Sequence, residues 1–250
     1  MTAWIAVWQR NLLVWRKLAL PSLVGNFGEP LLYLLALGYG LGAFVGQVQG
    51  LPYVVFLASG IVCSSAMNAA TLEATYSAYV RMAVQQTWEG ILVTPMGVRE
   101  IVLGELAWSA TKALINAAPI LVVAAALGAV HGWQALWVLP VTLAVGLSFG
   151  AMALVVTAFA RGFDFFLYYA TLVITPMLLF SGVFFPLSGM PAIIRGGARF
   201  LPLTHAVDVV RPLMTGQRLE NVPLHLLILG VYALGGYLLA LRLLRKRLIG

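Results

Sequence analysis

Apolar residues run along this chain in long, nearly unbroken stretches, without the two-residue alternation of a half-wetted strand. Six stretches reach the roughly 20 residues that a helix needs to cross a bilayer: residues 22–46, 52–79, 103–130, 134–160, 165–185 and 222–243. Gly28, Glu29 and Pro30 interrupt the first, a break that neighbouring helices absorb inside a membrane, so it reads as one kinked span. Lipid offers a backbone no hydrogen-bond partner, so only helices and closed barrels span, and runs without dyad alternation exclude the barrel. The expected fold class is an all-α integral membrane protein with six transmembrane helices, one domain over residues 1–250.

The segments outside these runs carry their own pattern. In residues 1–21, Trp4, Trp8, Leu12 and Trp15 share one helical face, interspersed with Arg10, Arg16 and Lys17. That arrangement predicts an amphipathic interface helix, with a juxtamembrane extension of the first span as the alternative. It lacks the uninterrupted apolar core and small-residue cleavage site of a secretory leader. Residues 186–221 are punctuated by Pro186, Pro191, Pro202 and Pro212, and the apolar pieces between them are too short to span. They predict external re-entrant helices, dipping into the outer leaflet or capping the bundle between spans five and six.

Composition sharpens the class. The chain is 62% hydrophobic and 9% charged, whereas a soluble domain is about a quarter charged, so it cannot cover itself with a wetted surface. The formal net charge is +7, but the cations stand at the ends of apolar runs, which argues for membrane orientation and against nucleic acid as a partner. Six spans put both termini on one side. Ten of the fifteen Lys and Arg fall on that side against four on the other, with Lys112 inside a span. The positive-inside rule therefore places both termini in the cytoplasm. The single Cys63 lies in an apolar run, can form no internal disulfide, and reads as a packing residue.

Chemistry-bearing motifs are absent. The chain has no phosphate-cradling GxxxxGK[ST] loop and no HExxH, and Ser59 and Ser181 lack a GxSxG frame. His131, His205 and His225 are scattered, without acidic neighbours at metal-ligand spacing. No catalytic residue, metal site or cofactor of its own is expected. Polar stripes inside the spans stand out instead. Ser64, Asn68, Thr71 and Thr75 share one face of the second span, and Glu105, Ser109, Lys112 and Asn116 share one face of the third. Such groups are costly at membrane depth and face protein or water. They read either as interhelical glue or as the lining of a substrate path and its inner gate. The path candidates are Asn68, Thr71, Glu73, Glu105, Lys112, Asn116 and Tyr168. Aromatics such as Tyr169, Phe180, Phe184 and Phe185 suit an interfacial belt, or flat faces for sugar rings and acyl chains. Gly38, Gly42 and Gly46 form a doubled GxxxG, which marks a close helix contact. A six-helix subunit encloses little space alone, so this face is assigned to a homodimer interface in preference to an intrachain one.

The segment between the second and third spans carries the most specific sequence. In a short helix over about 85–95, Trp88, Ile91 and Leu92 present an apolar face to the cytoplasm, and Thr94-Pro95 stops the helix. Such a helix suits docking in a partner's groove, or lying on the membrane surface. The stretch TWEGILVTPMGVREIVLGE at 87–105 resembles the hallmark of the ABC-2 type transport permeases. EPLLYLLALGYGLG, FSGVFFPLSGMP and LPLTHAVDVVRPLMTG are similar to their nodulation protein J branch, and the likeness covers nearly the whole chain. The resemblance implies a homodimer of six-helix subunits in the bacterial inner membrane, paired with two cytoplasmic ABC ATPase subunits that supply ATP and Mg chemistry. It implies export of lipids, glycans, drugs or lipo-oligosaccharides. Trp88, Glu89, Gly90, Ile91 and Leu92 match the family's coupling helix; Arg161, Gly162 and Asp164 fall at a second ATPase contact. Residues 186–212 match external re-entrant helices, and residues 1–17 an interface helix. The expected function is a non-catalytic permease subunit moving an amphipathic substrate outward, a lipo-oligosaccharide or other glycolipid by analogy with the branch. Multidrug efflux is the first alternative. A lipid-modifying membrane enzyme would need convergent His, Asp, Glu or Ser, which are not visible.

Overall fold

The computed structural model describes residues 3–250, with the side chains of residues 23, 24, 26, 27 and 29 outside the description. The start of the expected interface helix and the Glu29 side chain therefore lie outside the described residues.

Helix α1 (Trp4–Arg16) leads into α2 (Ala19–Leu35), which continues through a wider π turn (Ala36–Leu41) into α3 (Gly42–Val45). Pro30 is accommodated inside α2. A small antiparallel hairpin follows, β1 (Gln47–Val48) against β2 (Leu51–Pro52). Its turn residues Gln49 and Gly50 both take left-handed φ, 54° and 76°, the twist that a two-residue hairpin demands. Next come α4 (Tyr53–Leu72), extended by π turns Glu73–Ser77 and Val80–Val84, then α5 (Thr87–Leu92) and α6 (Val98–Ala126). After a 3-10 turn, α7 (Val138–Phe159) leads to α8 (Asp164–Tyr169), a π turn (Ala170–Ile174) and α9 (Thr175–Phe180). Helices α10 (Ala192–Ala198), α11 (Pro202–Thr215) and α12 (Val222–Ile249) complete the chain.

Among the described residues, four stretches are long and apolar enough to span a membrane: Tyr53–Val84, Val98–Ala126, Trp133–Phe159 and Val222–Ile249. Two shorter apolar helices, Pro30–Val45 and Asp164–Phe180, fall where the first and fifth spans were expected. The interruptions are local: Pro30 removes a backbone donor from α2, and residues 170–174 widen to a π turn.

Helix α4 is the centre. Its most apolar window is 89% buried, against 11% for α12, so α12 is an outer helix with most of its apolar face left outward. The α6–α7 contact is backbone-close: a Cβ on Gly146 would stand 2.6 Å from the Ala110 Cα. Only glycine permits that approach. One apolar cluster gathers Phe56, Leu57, Phe149 and Val207 around the α11 end. A second gathers Trp88, Ile101, Leu154, Phe166 and Leu244 around the opposite end. That opposite end, here the base, collects α1, α5, the α7–α8 turn and the end of α12. The Arg247 guanidinium closes it by donating to the Thr157 and Ala158 carbonyls at the end of α7 (2.9 and 3.0 Å), carbonyls that a helix leaves without intrahelical donors. Within α11 all but Asp208, Pro212 and Thr215 are buried. This prolyl-started helix packs among the longer helices instead of hanging from them.

Two glycines of the first apolar helix pack inside the chain. A Cβ on Gly38 would stand 3.0 Å from the Val54 Cγ2, and one on Gly42 3.6 Å from the Tyr53 ring. Gly46 ends α3 at φ 70°, a turn position. Gly38 and Gly42 thus admit α4.

A charged groove between α2, α4 and α6

Two cavities follow one another along α4, sharing Ala69 and Leu72 in their walls. The larger, about 500 Å³, opens toward the base. Its polar lining includes Arg10, Glu73, Arg81 and Lys112, and its flat walls are Trp15, Tyr76, Trp108 and Phe163. The smaller, about 110 Å³, is lined by Ser64, Asn68 and Asn116 with Tyr33 and Phe184. The pattern that builds this groove is visible in the sequence: polar residues three and four apart on α4 and α6 share a helix face.

The structure divides the candidate list. Asn68, Glu73, Lys112 and Asn116 line the groove. Thr71 is buried outside it, and Thr75 donates to its own-helix Thr71 carbonyl (2.6 Å). Tyr168 is 62% exposed and lines neither cavity, because it stands on the outer side of α8. Thr71 and Tyr168 thus stand apart from the two cavities. Glu105 is 1% exposed and sits behind the cavity wall, holding one of its lining residues.

Lys112 Nζ donates to Ser22 Oγ (3.0 Å) and lies 5.3 Å from the Trp15 ring centre, an arrangement in which the indole face attracts the ammonium. Arg81, which composition alone counted as one more basic flank, is the hub of the base. Its Nε donates to Glu105 Oε1 (2.9 Å), its NH2 reaches Glu105 Oε2, and its NH1 stands 2.9 Å from Glu73 Oε1. A guanidinium is the cation whose planar fork suits such pairing. Arg10 reaches Thr87 Oγ1 (3.4 Å) and Asn11 Oδ1 (3.0 Å). Burial first, then the neighbouring Arg81 charge, lowers the Arg10 pKa from its usual value, with Glu105 opposing.

Helix α5 belongs to this network. Gln86 enters it from a left-handed φ of 51°. The Trp88 side chain is fully buried, and its Nε1 donates to Glu105 Oε1 (3.1 Å). Ile91 and Leu92 pack against the same apolar cluster. The face that the sequence offered to a cytoplasmic partner is turned inward, a correction with a plain cause: burying the indole and two aliphatic chains removes more apolar surface from water than leaving them bare. Glu89 and Gly90 stay exposed, as do Val93, Thr94 and Pro95 beyond the helix. Arg161 and Asp164 are also exposed at the base. The neighbouring turn is held there by rings: Tyr76 stacks on Phe163 at 6.1 Å, and Tyr79 meets Phe166 edge-on at 5.4 Å.

At the α11 end a different cation escaped sequence reasoning. Arg211 is 8% exposed, donates to Ser59 Oγ (3.0 Å), the Phe56 carbonyl (3.4 Å) and the Gly182 carbonyl (2.7 Å), and covers the Phe56 ring at 3.7 Å. Among the described residues no group of three or more His, Cys, Asp or Glu could hold a metal ion.

The chain is a helical membrane bundle with a polar interior groove, and it belongs to the ABC-2 type transporter family, whose description it matches over residues 2–215. It is a multi-pass protein of the inner membrane. Permeases of this family work with an ATPase subunit. The chain is 48% identical to Nodulation protein J of Rhizobium meliloti (strain 1021) over 246 residues, covering 98% of this chain and 94% of the relative. Nodulation protein J of Rhizobium leguminosarum bv. trifolii is 49% identical with the same coverage. The inner membrane transport permease YadH of Escherichia coli (strain K12) is 25% identical over 252 residues, 97% of this chain and 96% of the relative.

Proposed function

We propose that this chain is the permease subunit of an ABC exporter, with six spans and both termini in the cytoplasm. In this reading it works as a homodimer with two ATPase subunits seated against the base, and moves an amphipathic substrate outward along the α2–α4–α6 groove. The observation that carries the reading is the groove itself: charged groups and flat rings at the base, amides farther along, and apolar helix faces around it. A polar headgroup finds hydrogen-bond partners there while an apolar tail stays toward lipid. The lipid-facing Pro30–Val45 and Asp164–Phe180 helices supply the first and fifth spans. The cations at the base, with Arg242, Arg245 and Lys246 near the end of α12, support the cytoplasmic orientation. A lipo-oligosaccharide or other glycolipid is the substrate class, on the likeness to the nodulation protein J relatives.

In the ATPase contact, Glu89, Gly90, Arg161 and Asp164 face the partner, while Trp88, Ile91 and Leu92 fix α5 to the bundle. ATP and Mg act in the partner. Co-purification with a candidate ATPase tests this reading. A stoichiometric complex with the wild type, lost in Glu89→Lys, is the expected result. Binding equal in both variants would move the contact elsewhere, and no complex with any candidate would remove the exporter assignment.

A further inference from the structure

Arg10 on the cavity wall reaches Thr87 at the start of α5 (3.4 Å), and one buried carboxylate ties the two together more tightly. Glu105 Oε1 accepts from Trp88 Nε1 on α5 and from Arg81 Nε on the extension of α4. The same guanidinium stands 2.9 Å from Glu73 Oε1 on the cavity wall. Four side chains thus run in line from α5 to the groove, and the two carboxylates share one cation. Lys112 lines the same cavity as Glu73 without a carboxylate within 4.0 Å among the described residues. Glu73 sits in a π turn, where the backbone ladder is already loosened.

We infer that Glu105 is a positioning residue that lets α5 set the charge presented by the groove: it fixes Arg81, and Arg81 decides whether Glu73 is neutralised or left to face Lys112 and the cavity. With Trp88 and Arg81 both donating to Glu105, Arg81 is held where it also meets Glu73. When α5 moves, the indole N–H withdraws from Glu105, and the divided hold on Arg81 shifts. A carboxylate that loses its guanidinium in a site of low dielectric changes the local potential far more than it would in water. The inference rests on the proposed exporter reading only for what drives α5. The link between α5 and the groove stands on the contacts themselves.

The test needs neither substrate nor partner. Ser77, which lines the larger cavity, is replaced by cysteine in the full-length chain with Cys63→Ala, since Cys63 is the chain's single thiol. The readout is the ratio of labelling rates by a cationic and an anionic methanethiosulfonate reagent. It is measured in Trp88→Phe, which keeps the ring and deletes the N–H, in Glu73→Gln, and in the pair together. Independent effects multiply; residues coupled through a shared network do not. The expected departure from multiplicativity is about fivefold, and it collapses in a Glu105→Gln background. Ratios that multiply within about twofold would overturn the inference, as would a coupling that survives Glu105→Gln. Arg81→Lys, which keeps the charge and loses the fork, provides a second series, with the coupling again expected to vanish. Adding the ATPase and a non-hydrolysable ATP analogue then asks whether nucleotide shifts the same ratio. An absent shift with the coupling intact would fault the exporter reading and leave the joint standing.

Discussion

Replacing Arg211 with Met should loosen the α11 end by about 3 kcal/mol, and the figure follows from what the guanidinium holds. Three acceptors contact it, but the Phe56 carbonyl keeps a second donor in Ser59 Oγ at 2.8 Å. The net loss is therefore two charge-assisted hydrogen bonds, at about 1.5 kcal/mol each, with the stacking on Phe56 adding about 1 kcal/mol. Removing a buried cation recovers part of its desolvation cost, and Met fills much of the vacated volume, which brings the sum back to about 3 kcal/mol. For a chain of this size that corresponds to a fall of about 6–12 °C in the unfolding midpoint. The assay is thermal unfolding in detergent, paired with limited proteolysis of the 181–200 segment that Arg211 ties to α4 through the Gly182 carbonyl. Cleavage there should accelerate before global unfolding. Arg211→Lys should fall between wild type and Met, since a point charge cannot reach three acceptors from one plane. A Met variant within about 0.5 kcal/mol of wild type, with unchanged cleavage, would refute the reasoning.

Three further outcomes test other parts of the structure. Gly146→Val should cut the yield of folded protein sharply, because its Cβ would meet the Ala110 backbone at 2.6 Å; size-exclusion elution checks this, and a normal monodisperse yield would show that α6 and α7 can separate. Lys112→Leu should lower flux of an amphipathic substrate in proteoliposomes by about tenfold or more while leaving the melting temperature within a few degrees; normal flux would remove Lys112 from the path. His225→Phe should cost about 1 kcal/mol. His205 Nε2 donates to the Arg199 carbonyl (2.8 Å), so its Nδ1 accepts from His225 Nδ1 (2.8 Å), and a phenyl ring leaves that acceptor bare; an unchanged midpoint in detergent unfolding would deny the α11–α12 contact its weight.

The sequence by itself determined the solvent, the element type and much of the groove. Runs of twenty and more apolar residues leave a backbone in lipid no choice but helix, and the regular spacing of Asn68, Lys112 and Asn116 puts them on faces that must avoid lipid. Helix spacing also grouped Trp88, Ile91 and Leu92, but it could not say toward what. A helical stripe specifies a face and leaves its neighbour unspecified, so the tertiary structure decided that this stripe packs inward on α6, that Gly38 admits Val54, and that Tyr168 stands away from the groove. Long-range charge pairing was equally out of reach. Arg81 and Glu105 are 24 residues apart, and Arg211 and Ser59 are 152 apart; no periodicity links positions on different helices. Which buried cation meets which acceptor depends on the crossing of α4 with α6 and on the return of α11 against α4, and those are properties of packing that exist only once the bundle has closed.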